Sequence, residues 1–140
     1  MTGPKRTLTF RTVGDSMIVL RENKDTPRDE DWDAFLACLV ENRARFSQLK
    51  ILVMTEGGGP NVEQRKRLEV ALDRRPVRVA VVTDSIKVRF IVSSIALLNR
   101  QISTFSLKEI ERAYTHLGMT QAEQSLARAV IRELDQQVEF

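Results

Sequence analysis

The sequence predicts an α/β domain: a mixed sheet that opens with an antiparallel hairpin, continues in parallel strands joined by crossover helices, and is followed by one extra helix. Three observations carry this. The chain has 140 residues, 42% hydrophobic and 29% charged, which is enough apolar side chain for one core and unlike the composition of a disordered segment. After the opening hairpin, short apolar runs of strand length alternate with stretches of helical spacing. One run, residues 77–82, is dense enough in β-branched side chains to be a central strand buried on both faces.

Residues 7–12 and 16–20 are β-rich and flank Val13-Gly14-Asp15, a hairpin turn signal. Thr26-Pro27 then offers a cap and a first-turn proline, and Asp29, Glu30, Asp31 and Asp33 favour the positive end of a helix dipole. Trp32, Phe35, Leu36, Leu39, Val40 and Phe46 recur at helical spacing, so a helix is expected over roughly 27–48. Residues 50–54 form a strand that Gly57-Gly58-Gly59-Pro60 breaks. Asn61 with Gln64 caps a second helix whose inner face carries Leu68, Ala71 and Leu72, and Pro76 ends it.

Beyond Thr83-Asp84-Ser85, a third helix runs through Val88, Phe90, Ile91, Val92, Ile95, Ala96, Leu97 and Leu98. It is apolar over more of its circumference than one sheet contact needs, so a second cover is expected. Residues 102–105 make the last strand. Ser106 with Glu109 and Thr120 with Glu123 then have capping-box spacing for two further helices, the first stopping at Gly118. The final helix carries an apolar stripe at Leu126, Val130, Leu134 and Val138. Two segments follow: residues 1–118 as the domain, and 119–140 as an extension that covers residues 88–98 of the same chain or of a dimer partner.

The order strand, strand, helix, strand, helix, strand, helix, strand, helix resembles the STAS superfamily, and the segment 102–118 resembles its SpoIIAA-like, anti-sigma-factor-antagonist branch. The resemblance covers residues 5–118 and rests on that order, on residues 77–84, and on Thr104-Phe105-Ser106-Leu107 leading into Glu109, Ala113 and Leu117. It implies a non-enzymatic regulatory module that binds another protein, with a phosphorylatable hydroxyl in the loop before the second helix. In that loop Thr55 is the one hydroxyl, so it is the candidate phosphosite. Asp84-Ser85 lies one βα unit later and reads as a helix cap.

The candidate partner- or anion-binding residues are Thr55, Glu56, Gly57, Gly58, Gly59, Asn61, Arg65, Arg67, Asp84, Ser85 and Arg89. Glycines ahead of a helix can expose amides to an anion, although this run matches neither a dinucleotide fingerprint nor a P-loop, and turn geometry is the simpler reading. From Arg65 to Arg89 eight basic residues face three acids, a surplus of five in a chain whose net charge is +3. Such a surface suits an acidic partner face, a lipid headgroup or nucleic acid, and reads equally as a solvated helix with ordinary ion pairs.

No catalytic set emerges. His116 is the only histidine and Cys38 the only cysteine, so a multi-histidine metal site and a CxxC cluster are excluded, and no metal or cofactor is expected. Ser85, His116 and Asp84 make a triad only on paper, without a nucleophile elbow, and His116 reads as a lone surface residue. The opening residues hold no apolar signal core and no apolar stretch is long enough to span a bilayer, so a reducing cytoplasm is the expected compartment. Protein docking is the leading functional expectation. A small-ligand or lipid carrier, motivated by the apolar third helix, is the alternative. Nucleic-acid binding ranks third because no aromatic side chain interleaves with the basic residues before Phe90.

Overall fold

The computed structural model describes residues 5–140; residues 1–4, at the head of the expected first segment, lie outside the described part. Five strands form one sheet in sequence order: β1 (Leu8–Val13), β2 (Met17–Glu22), β3 (Lys50–Thr55), β4 (Arg78–Val82) and β5 (Ile102–Phe105). β1 pairs antiparallel with β2, turning at Gly14 with φ 59°, and every later pairing is parallel. The expected mixed α/β sheet is therefore present.

Three crossover helices, α1 (Asp29–Glu41), α2 (Val62–Leu72) and α3 (Ile86–Ala96), lie over one face. Below them Ile18, Leu20, Ile51, Val79 and Val81 meet Trp32, Phe35, Leu39, Leu72, Val88 and Val92 in one apolar cluster. The opposite face is covered by α4 (Ile110–Leu117) and α5 (Gln121–Asp135), where Met17, Val19, Leu52, Ala80 and Val82 meet Tyr114, Leu117, Ala127, Val130 and Leu134. The period-two alternation of β2 and β4 feeds both clusters, which makes a three-layer sandwich.

The capping boxes form as their spacing predicts: Asn61 with Gln64, Ser106 with Glu109, and Thr120 with Glu123. Gly118 closes α4 in the left-handed conformation at φ 65°. Three expectations need correction. The first helix is shorter than 27–48, ending at Glu41 with a separate 3-10 turn at Arg43–Arg45. Its N-cap is Arg28, which gives no side-chain cap, and instead the hydroxyl of Thr7, just before β1, reaches across to accept from the Arg28 amide and donate to Asp31.

The third correction concerns the last helix. α5 does not cover α3; it packs against β1 and β2 on the far side of the sheet, burying Ala127, Val130 and Leu134, and Val138 beyond it is buried too. The reason is visible in β2, all six residues of which are buried, so its second face requires a cover that α4 alone does not reach. α5 thus belongs to the same packed unit as the strands. No helix among the described residues is long and apolar enough to cross a membrane.

Candidate functional site

β2, β3 and β4 run parallel and end at one edge, at Glu22, Thr55 and Val82, the edge where open α/β sheets receive ligands. Several expected site residues converge there. A cleft of about 280 Å³ is lined by Arg21, Thr55, Glu56, Thr83, Asp84 and Ser85. Most of their polar atoms, however, are engaged inside the chain.

Thr55 is buried, and its hydroxyl donates to the Gly58 carbonyl at 2.7 Å while accepting from the Gly57 amide at 3.2 Å. A kinase would reach that hydroxyl only after the loop opened. The Gly58 amide donates to the Asn23 carbonyl at 2.8 Å, so neither the Gly57 nor the Gly58 amide is left for an anion. Gly58 is required by crowding: a Cβ there would stand 2.2 Å from the Asp25 carbonyl oxygen and 2.6 Å from that of Asn23. Glu56 pairs at 2.5 Å with Arg21, a buried guanidinium that also holds Asp135 at 2.7 Å and lies 4.5 Å from the centre of the Phe140 ring.

Asn61 is spent on the α2 cap, Ser85 accepts from the Val88 amide to cap α3, and Asp84 accepts from the Leu107 amide. Arg89 donates back to the Thr83 carbonyl, and Arg65 to the Pro60 carbonyl. Arg67 bridges Asp29 at 2.7 Å and Asp33 at 3.1 Å, tying α2 to α1. The Gln64 amide and then Arg67 hold the Asp29 carboxyl below its ordinary value. Backbone donation from Ser106 and from Thr120 lowers the capping carboxyls of Glu109 and Glu123 in the same sense.

His116 is half-buried rather than a surface residue: its Nε2 lies 2.8 Å from the Gln101 carbonyl and 3.1 Å from that of Val79, beside the Phe105 ring. Val79 is the second residue of β4 whereas Ser85 follows its end, so the paper triad is divided between opposite ends of that strand.

Two further features stand apart from the expected site residues. The first is the outer face of α3, where Ile86, Phe90 and Leu97 are 84%, 76% and 85% exposed, an apolar row that no other described residue covers. Beside it a groove of about 440 Å³ runs between α2 and α3, with Leu68, Leu72, Ile95 and Leu98 along it and mixed charges beside them, Arg65, Arg74 and Arg75 with Glu69 and Asp73, the last paired with Arg75 at 3.8 Å. Arg74 has no carboxylate partner among the described residues. The apolar excess of residues 88–98 was the signal, and α5 of the same chain does not supply the expected cover.

The second is Glu22. It shares a strand face with Ile18 and Leu20, is 3% exposed, and its Oε2 has no hydrogen-bond partner. Burial pushes its pKa well above the ordinary carboxylate value. Alternation along residues 18, 20 and 22 was the available signal. The fold defines an α/β domain with helices on both faces of a mixed sheet. No family model, curated protein or solved structure matches the chain.

Proposed function

We propose that this chain is a non-enzymatic regulatory docking module that binds a protein partner through α3 and the adjoining α2–α3 groove. The observation that carries the reading is the exposed row Ile86, Phe90 and Leu97. A helix that keeps three large apolar side chains in water beside an apolar groove loses hydration cost when a partner covers them. Three arginines against Glu69 and Asp73 leave the groove a surplus of one positive charge, with Arg74 free of a carboxylate among the described residues, which favours a partner whose apolar anchors stand beside a carboxylate. The resemblance of the element order to STAS regulators agrees with such a role. Arg67 is excluded from this surface because α1 already holds it.

The test compares baits in extract of the native host: wild type, a Phe90→Glu/Leu97→Glu double variant, and Arg128→Glu as a control on α5. A stoichiometric protein retained by wild type and the control and lost from the double variant supports the reading. Equal retention by all three overturns it. The Arg65→Glu/Arg74→Glu variant should bind the same protein with slower association and weaker salt dependence.

A further inference from the structure

Between the sheet and α1, α2 and α3 lies a cavity of about 90 Å³, walled by carbon from Trp32, Phe35, Val81, Ile91, Ile95 and Ile102 among others. At about 30 Å³ per molecule in liquid, its volume equals the share of roughly three waters. The other polar side chains on its wall are engaged: the Thr55 hydroxyl with the Gly58 carbonyl, and Asn99 with the Val77 carbonyl and the Gln101 amide. Glu22 is different. It enters the cavity from the end of β2, makes no ion pair among the described residues, and leaves Oε2 unbonded. The one guanidinium close in sequence, Arg21, sits on the opposite face of the sheet and serves Glu56 and Asp135. A buried polar oxygen without a partner is costly, and the cost is recovered when something in the cavity bonds to it.

We infer that this cavity is a binding site for a compact neutral molecule, apolar except for one hydroxyl or carbonyl group, with Glu22 as the hydrogen-bonding residue at its polar end. The carboxyl in its acid form donates to the ligand oxygen and can accept from a ligand hydroxyl. The surrounding carbon excludes charged ligands, because no counter-charge is present to offset their desolvation. The site lies on the inner side of α3, so it is separate from the outer row proposed for docking and does not depend on that reading.

The probes are ethanol and its near-isostere propane, each close to the three-water volume of the cavity, titrated into the 140-residue chain. Trp32 lines the cavity and is the only tryptophan, so its emission reports occupancy directly. Wild type should bind ethanol about tenfold more tightly than propane, the value of one net hydrogen bond. Glu22→Leu should reverse the preference, and Glu22→Gln should keep it. Both variants preserve the side-chain volume, and Glu22→Leu removes an unsatisfied group, so folding is expected to survive. Equal affinity of wild type for the two probes, an unchanged preference in Glu22→Leu, or no response to either probe because the cavity holds only water would each overturn the assignment.

Discussion

Replacing Gly58 by alanine tests whether the glycine loop is built for close approach of two backbones. The added Cβ would fall 2.2 Å from the Asp25 carbonyl oxygen, with the Asp25 carbon at 3.1 Å, so the clash involves main chain that cannot rotate away. The loop or the segment after β2 must retreat by about 1 Å to restore van der Waals contact. That movement also breaks the 2.8 Å bond from the Gly58 amide to the Asn23 carbonyl. Overpacking costs about 1–3 kcal/mol and the lost hydrogen bond about 1, so destabilisation of roughly 2–4 kcal/mol is expected. For a chain of this size that is about 5–15 °C in Tm. Gly59 is the internal control, since a Cβ there meets only the tip of Ile91 at 3.2 Å. Urea titration followed by Trp32 emission and by circular dichroism should rank Gly58→Ala far below Gly59→Ala. Equal midpoints for the two variants would refute the backbone-crowding argument.

Three further outcomes are expected. Because burial raises the Glu22 pKa in the fold, the native state binds more protons than the unfolded one above the ordinary glutamate value; stability from this group is full below that value and falls as pH rises through the native pKa. Urea midpoints between pH 5 and 8 should therefore slope less in Glu22→Gln than in wild type, and identical slopes would contradict it. Tyr114 is 1% exposed with an unpartnered hydroxyl, so Tyr114→Phe should leave calorimetric stability unchanged or raise it by about 1 kcal/mol; a clear loss would reveal a bonded hydroxyl. Phe90→Glu alters an outward side chain and should shift the urea midpoint by no more than about 0.5 kcal/mol, whereas a larger loss would show that Phe90 supports the core.

Much of the fold was legible because local chemistry and packing agree. Residues 77–82 read as a strand buried on both faces, and β4 does place Val79 and Val81 in one cluster and Ala80 and Val82 in the other. Cap spacing located the starts of α2 and α5 because those bonds span three residues and need no tertiary information. The placement of α5 was not legible. An apolar stripe states that one face is buried and says nothing of which surface buries it, and only the completed sheet shows β2 in need of a second cover.

The site divides in the same way. Residues 55–59 and 84–85 do gather at one sheet edge, as their position after strands implies. Their occupation by internal bonds depends on the neighbouring Asn23 to Asp25 backbone, which no spacing rule anticipates. The ion pairs of Arg67, a candidate partner-binding residue in the sequence, could not be assigned there because Asp29 and Asp33 are on another helix. Glu22 lies two residues beyond the run expected over 16–20, and only the longer β2 gives it the parity with Ile18 and Leu20 that turns it inward.

One guanidinium is shared between the last turn of α5 and the loop that follows β3, since Arg21 grips Asp135 with Nε and Glu56 with a terminal nitrogen. The last turn of α5 and the residue after β3 therefore share one counter-ion, so a single substitution at Arg21 strips the charge partner from both.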